Sequence, residues 1–584
     1  MIEFHYSTHL LKNETNSNLD SMKTANKYVY FLSILVLTVF AACNPSRENS
    51  SKPVGTESMP PRIESIEGVK RLIVNDKPFL SLAGELHNSS SSSLKYMDSI
   101  WPALAQMNLN TVLTPVSWEL VEPKEGEFHF DLIDGLIENA RKNNLKIIFL
   151  WFGSWKNMVS TYAPEWVKNN PERFPLLTEK NGERFQMLST FSQENVMADA
   201  RAFAALMKHI KQVDSDEQTV IMMQVENEVG TNGGDRDYSE AATKVYESEV
   251  PENLISYLRN NESSLIPDFK HVWDDNGSKT SGSWKEVFGD GMAGNEIFMA
   301  WHYARYIGKI IEAGKSEYAI PMFVNAAIGR QNEKLGSYPS GGPLPFVMDV
   351  WRAAAPKLDM LSPDIYFGDF IGHCQKYTQS GNPLYIPETM GGEFGAANAL
   401  IAFANFNAIG FSPFGIDSRI GGPLSEGALA RAYDILGQLS PLILSSEGMK
   451  QMVAVSVNTD NESTSVDLGE YQFDFNLRRS RWTNEKTELG YAILIEVKPD
   501  EFIAAGKNIN IQFSLKNRND EVTGILWAEE GKFENGNWVP GRRLNGDEIM
   551  IDYWFSKLFE EGKSGNGLKF NSSLNIQRVK LYDY

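Results

Sequence analysis

The sequence predicts an α/β protein: a (β/α)8 (TIM) barrel followed by a smaller antiparallel β domain. Three observations predict it. Between Leu72 and Leu444 eight short apolar runs alternate with helical patterns. After Ser445 the helical patterns give way to closely spaced strand candidates and turn signals. The 584 residues leave room for a barrel of ~250 residues or more and for a second domain.

The eight runs are FLSLAGEL (79–86), TVLTPVSW (111–118), KIIFLWFG (146–153), VIMMQVENE (220–228), MFVNAAI (322–328), MLSPDIY (360–366), PLYIPET (383–389) and GFSPFGID (410–417). They are continuous rather than alternating, as parallel strands covered on both faces should be. Leu132–Asn143, Ala200–Val213 and Ile297–Ala313 carry helical periodicity between them. Eight strands in βα order fit a closed barrel better than an open nucleotide-binding sheet, because no G-x-G-x-x-G follows the first run and no Walker loop occurs. About ninety residues join the fourth run to the fifth, enough for extra helices that wall one side of a cleft. From residue 445 on, YAILIEV (491–497), INIQFSL (509–515), VTGILWA (522–528) and IMIDYWF (549–555) read as strands of a sandwich. Asn535-Gly536 and Asn545-Gly546 read as turns, and Trp482, Trp527, Trp538 and Trp554 as core residues.

Ahead of the barrel, Tyr28–Ala42 is uncharged; Lys23 and Lys27 precede it, and Cys43 follows Ala41-Ala42. A charged segment, a short apolar segment and small residues before a Cys resemble a bacterial lipoprotein signal, with Phe40 where Leu is usual. Residues 1–42 are therefore expected to be a signal peptide, with Met22 an alternative start; 43–61 a polar linker; 62–444 the barrel; and 445–584 the β domain. Export follows, with Cys43 lipidated and the chain anchored to a bacterial membrane, the expected place being the outer membrane facing the periplasm.

Lys and Arg number 55 against 75 Asp and Glu, a net charge of −20 that excludes a nucleic-acid partner, since such affinity comes mainly from cations on phosphate. A neutral glycan meets no such penalty. Two cysteines, Cys43 and Cys374, build neither a disulfide framework nor a Cys-based zinc site, and the eight His include no H-E-x-x-H pair. No metal and no cofactor is called for, and the oligomeric state is left open.

Catalytic groups of a barrel sit at the carboxyl ends of its strands. The fourth run ends Gln224-Val225-Glu226-Asn227-Glu228 and the seventh Tyr385-Ile386-Pro387-Glu388-Thr389. Carboxylates from these two strands can face each other across the mouth. A pair ~5–5.5 Å apart is what a retaining glycosidase uses, one protonated as acid and one ionised as nucleophile. Glu226 and Glu228 fall on the same side of a regular strand, so spacing does not choose between them. Tyr366, ending the sixth run, can hold a nucleophilic carboxylate ionised and oriented. Trp155 and Trp151 offer flat faces for a sugar ring. Trp301-His302-Tyr303 reads as core, and Cys374 as a buried thiol.

The Gln224–Glu228 motif, together with LNTVLTPVSWELVEPKEGEFHFD (109–131), resembles glycoside hydrolase family 35, the β-galactosidases, and the likeness runs from about Phe79 to Asp417. Segment 325–345 resembles the shorter bacterial members, whose β-rich C-terminal domain corresponds to the residues after Ser445. The resemblance implies that Glu228 is the acid/base, that Glu388 is the nucleophile and that Asn227 bonds the sugar 2-hydroxyl. It places His87 at the family's strand-one His and Trp118 in the strand-two signature, and offers Glu119 as a substitute acidic contact. The chain departs from the family at Pro115, where a sugar-contacting Tyr is usual, at Ser154, where a Glu grips galactose hydroxyls, at Glu85, which is new on strand one, and at DEQTV (216–220), which lacks the family's G-G-P. The expected activity is a retaining exo-β-galactosidase acting on oligo- or polysaccharides. The alternatives are another exo-β-glycosidase on the same barrel, acting on arabinopyranosides or glucosaminides, and a non-catalytic glycan-binding lipoprotein.

Overall fold

The computed structural model describes residues 59–231, 234–329, 337–419, 426–445, 451–478, 487–516, 522–551 and 565–584. Cys43, Trp482, Trp554 and the proposed signal segment lie outside the described residues. Within them no helix is long and apolar enough to cross a membrane.

Eight parallel strands form the barrel: β1 (Ser81–Glu85), β2 (Thr111–Ser117), β3 (Lys146–Lys156), β4 (Val220–Asn227), β5 (Met322–Ala327), β6 (Met360–Asp364), β7 (Tyr385–Ile386) and β8 (Gly410–Phe411). They pair in ring order from β6 back through β1 to β8 and β7. A parallel bridge between Ile365 and Thr389 joins β6 to β7, with the Ile365 N–H donating to the Glu388 carbonyl at 2.9 Å, and so closes the ring. β7 and β8 are shorter than the apolar runs that announce them because Pro387 and Pro413 have no N–H to continue a ladder.

The barrel axis is filled by Ala83, Leu113, Ile148, Leu150, Phe152, Met222, Phe323, Met360 and Tyr385, all buried. Leu72 and Val74 join this cluster from a small antiparallel sheet (Arg62–Ile66, Val69–Val74, Lys77–Phe79), which plugs the end where the strands begin. Burying each such Leu or Phe contributes roughly 1.5–3 kcal/mol. The apolar fill leaves the carboxyl ends of the strands to polar side chains. Between β4 and β5 run helices Glu240–Tyr246, Glu252–Asn260, Pro267–Asp275, Trp284–Phe288 and Met292–Glu317, as the length of that connection predicts.

The C-terminal strands form a six-stranded antiparallel sheet (Met452–Asn458, Leu489–Lys498, Glu501–Lys507, Asn575–Asp583, Thr523–Glu534, Asn537–Leu544) facing a five-stranded one (Ser463–Leu468, Tyr471–Leu477, Ile509–Leu515, Gly565–Phe570, Met550–Ile551). Ala492 and Leu494 point into the sandwich core, whereas Tyr491, Ile493 and Ile495 join the barrel's outer core. The sheet is thus covered on both faces, which is why this antiparallel strand reads as an unbroken apolar run. Asn405, near the end of helix Gly392–Phe406, clamps the Ala454 backbone with two hydrogen bonds of 2.8 Å. Asn535-Gly536 makes the expected hairpin, both residues having positive φ. Asn545 instead caps a short 3-10 turn, Gly546–Glu548. Trp527 and Trp538 are half-buried rather than core: Trp527 lies under Arg543 and Arg578, and Trp538 donates to Glu529 at 2.7 Å.

Candidate active site

Three carboxyl groups converge where the strands end. One oxygen from each of Glu228, Asp364 and Glu388 lies within 4.8 Å of the others. Glu388, two residues past β7, is buried, and hydrogen bonds reach both its oxygens. Tyr366 donates its O–H to Oε2 at 2.7 Å. Asn227 donates to Oε1 at 3.2 Å, and Asn325 reaches the same oxygen at 3.5 Å. Asn227 also accepts from Lys156 Nζ at 2.8 Å, so a buried cation and the Glu388 carboxylate grip opposite ends of one amide.

Glu228 is half-buried and lines a cleft of about 200 Å³ with Ala327, Tyr338, Asp364, Tyr366 and Phe367. Its backbone N–H donates to Asn325 Oδ1 at 3.1 Å. Burial, and then the Glu388 charge, push its carboxyl up to about 7; Lys156 and a hydrogen bond with Asp364 oppose the rise. The Tyr366 hydroxyl is driven far up by burial and by Glu388, so it stays a donor. Asp364 and Glu85 are both raised well above the carboxylate range, first by burial and then by the Glu388 charge. Glu85 is fully buried, and neither of its oxygens has a partner.

The structure separates Glu226 from Glu228. Both have positive φ, 62° and 45°, a conformation that costs a side-chain-bearing residue about 1–2 kcal/mol. The strand alternation is broken, and the two carboxyls no longer share a face. Glu226 turns behind β3, where its oxygens accept the N–H groups of Ser154 at 3.0 Å and Trp155 at 2.6 Å. Its carboxyl also pairs with Asp199, and burial and that neighbour raise it strongly. A Cβ on Gly153 would stand 2.7 Å from Glu226 Oε1 and 2.3 Å from Trp151 Nε1, so this packing requires glycine there. The backbone thus holds Glu226 as a structural group and leaves Glu228 in the cleft.

The aromatic expectations need correction. Trp155 is fully buried, donates to the Leu188 carbonyl at 3.0 Å and packs on Tyr303 and Tyr306. Trp118 is equally buried, donates to Glu122 at 2.9 Å and meets Trp166 edge-on. Trp151 is buried against Asp199. None of the three presents a face to a ligand. Glu119 is on the rim, paired with Lys168 at 3.2 Å, beside Pro115 in a different hollow from the carboxylates. His87 is exposed, its ring edge-on to Phe414 at 5.1 Å and its backbone N–H on Asp417. Ser154 turns away to Asp199 and Tyr306. Cys374 is a buried free thiol.

Asp364, Lys156 and Asn325 are site residues that inspection of Glu-bearing strand ends does not find. Each stands at or near the carboxyl end of its strand, which is the signal that finds them.

A barrel with paired carboxylates at its mouth is the architecture of a glycoside hydrolase, and residues 93–297 carry such a domain: they match the family 42 glycoside hydrolase model, described as "Beta-galactosidase". Residues 429–555 match a "Domain of unknown function" (DUF5597). Among solved structures the chain is similar to the β-galactosidase of the psychrophilic Marinomonas ef1, at 12% identity and TM-score 0.42, over 62% of this chain and 60% of that one. It is also similar to the β-galactosidase of Bacillus circulans sp. alkalophilus, at 15% identity and TM-score 0.41, over 63% and 57%. The catalytic domain of the β-amylase of Paenibacillus polymyxa aligns over 57% of this chain and 91% of its own, at 11% identity and TM-score 0.42. The chain thus spans 60% of the length of the first of these structures. No curated protein matches it.

Proposed function

We propose that this chain is a retaining exo-β-galactosidase that releases terminal β-galactosyl residues from oligo- or polysaccharides, its strand-end motifs resembling family 35 although residues 93–297 match the family 42 model. The observation that carries the reading is the approach of the Glu228 and Glu388 oxygens to within 4.8 Å at the barrel mouth. That spacing suits direct attack on the anomeric carbon and leaves no room for the water an inverting enzyme places between its carboxyls. Glu228, kept protonated to about pH 7, gives its proton to the glycosidic oxygen while Glu388 attacks. Water then cleaves the glycosyl ester, with Glu228 taking its proton. Tyr366 and Asn227 orient Glu388 through both its oxygens.

A panel of nitrophenyl β-glycosides, with NMR of the released sugar, tests substrate and stereochemistry together. The β-anomer should appear first. Glu388→Gln and Glu228→Gln should each lower kcat by at least ~10². Near-normal turnover of Glu388→Gln, or first release of the α-anomer, overturns the reading. A second glycone, arabinopyranose or glucosamine, is favoured by one observation: the Ser154 hydroxyl is spent on Asp199 and Tyr306, so the position where family 35 grips galactose offers no group to it. The same panel separates these sugars. The N-terminal motif supports export and lipid anchorage through Cys43.

A further inference from the structure

We propose that Asp364 is a positioning residue for the acid/base group: a neutral carboxylic acid whose O–H is donated to Glu228 once Glu228 has given up its proton. The inference rests on the assignment of Glu228 made above.

The geometry is that of a carboxyl pair. Asp364, the last residue of β6, is 2% exposed, and one of its oxygens lies within 4.8 Å of an oxygen of Glu228 and of one of Glu388. Two carboxyl groups in such contact hold a proton between them, because two ionised oxygens at that separation repel. Asn325 fixes the pair from β5: its Nδ2–H donates to Asp364 Oδ2 at 2.8 Å, and its Oδ1 accepts the Glu228 N–H at 3.1 Å. Asp364 Oδ1 is buried and, among the described residues, receives no N–H or hydroxyl. Glu85 from β1, Glu388 from β7, and the Tyr366 and Tyr377 hydroxyls surround the group with further acids. Lys156 from β3, the cation of this cluster among the described residues, is held by Asn227 instead. Both partners line the cleft, but Glu228 is the more exposed and Asp364 is almost wholly buried. The exposed member exchanges its proton with substrate, and the buried one keeps its own.

In the first half-reaction a Glu388 oxygen bonds to the anomeric carbon and the glycosidic C–O bond breaks. Its electron pair stays on the leaving oxygen, which takes the Glu228 proton. Glu228 is then a carboxylate, and the Asp364 O–H donates to it. In the second half a water proton passes to Glu228 as the water oxygen bonds to the anomeric carbon, and the ester pair returns to Glu388. Asp364 keeps its proton throughout. A donor to the carboxylate form makes Glu228 a stronger acid, so its removal is felt most when the leaving group most needs protonation.

The test compares phenyl and 2,4-dinitrophenyl β-glycosides of the preferred sugar, because the dinitrophenolate departs without a proton. Asp364→Ala in the full-length protein should lower kcat/KM on the phenyl glycoside by at least ~10-fold, the scale of a hydrogen bond to a charged group, and on the dinitrophenyl glycoside by less than about three-fold. Asp364→Asn, whose amide still donates, should recover most of the phenyl rate. If the Ala variant does not fold, Asp364→Leu, which also has no donor, is scored by the same ratio. An equal loss on both substrates marks a general disturbance of the pocket and overturns the proposal, as does no loss on the phenyl glycoside. A wild-type chain that cleaves neither glycoside, or a Glu228→Gln variant as fast as wild type on the phenyl one, sinks the assignment of Glu228 itself.

Discussion

Replacing Glu228 by Gln removes a proton-binding group from the barrel mouth without changing its volume, so the effect on stability must depend on pH. Burial and the Glu388 charge lift this carboxyl from its ordinary 4.5 to about 7 in the folded chain. Unfolding returns it to the ordinary value. Between those limits the native state holds a proton that the unfolded state has lost, and stability falls as pH rises through the window. Below it both states are protonated and nothing is lost. Above about pH 7 both are ionised and the native state carries the whole penalty. At ~1.36 kcal/mol per pH unit the penalty is about 3 kcal/mol. Gln carries none of it. Urea unfolding followed by tryptophan fluorescence should therefore find the two proteins nearly equal at roughly pH 4, and Glu228→Gln more stable by about 2–3 kcal/mol at roughly pH 8. The larger causes of the Glu85 and Asp364 shifts, burial and the Glu388 charge, are common to both proteins, and the smaller Glu228 contribution to each is relieved in the Gln variant and adds to its alkaline advantage. A stability difference that stays constant across this range refutes the buried, charge-crowded environment assigned to Glu228. The same ionisation should set the alkaline limb of kcat/KM near pH 7, since only the protonated group can assist departure.

Tyr366→Phe deletes the 2.7 Å hydrogen bond to Glu388, which strengthens as charge returns to that oxygen during ester cleavage. Accordingly kcat should fall ~10- to 100-fold with KM falling alongside it, and a burst should appear on the dinitrophenyl substrate; a raised KM with intact kcat would contradict the geometry. A chain ending at Leu444 should be insoluble, because Ala454, Tyr491, Ile493, Ile495, Ile503 and Ile576 share one apolar core with the barrel. A soluble, active truncated barrel would show instead that the sheet is a detachable module. Cys43→Ala should move the protein from the membrane to the soluble fraction and abolish labelling by radioactive palmitate; unchanged partitioning argues against lipidation.

Much of the barrel was readable because burial on both faces leaves an unbroken apolar run, and all eight of its strands begin within two residues of the start of such a run. The eight runs did not reveal how far a strand goes. β3 continues to Lys156, three residues past its run, through a register shift between Trp151 and Lys156. That continuation swings Trp155 into the outer core, so a tryptophan next to a catalytic strand end is not a platform merely by position. In the β domain, Tyr471–Leu477 alternates buried and less buried residues as a strand covered on one face should, while Glu501–Lys507 is buried almost throughout and has small Ala504, Ala505 and Gly506 at its centre, so its sequence gives little periodic signal.

The site shows where linear reading stops. Glu228 and Glu388 can be singled out because catalytic groups of a barrel sit at the carboxyl ends of its strands and two Glu residues there invite pairing. The choice between Glu226 and Glu228 is made by left-handed backbone conformations at these two residues, either side of Asn227, which no spacing rule encodes. Asp364, Asn325 and Lys156 become meaningful only when β3, β5 and β6 close around the mouth, since each owes its role to a neighbour far away in sequence. An acid in isolation at the end of β6 is a surface charge. The same acid beside Glu228 and Glu388, with Lys156, the cation of this cluster among the described residues, already committed to Asn227, has to keep its proton, and a carboxylic acid that keeps its proton is a hydrogen-bond donor wherever a neighbouring carboxylate forms. Closure of the ring therefore does more than gather the catalytic pair: it determines which of the crowded acids can ionise.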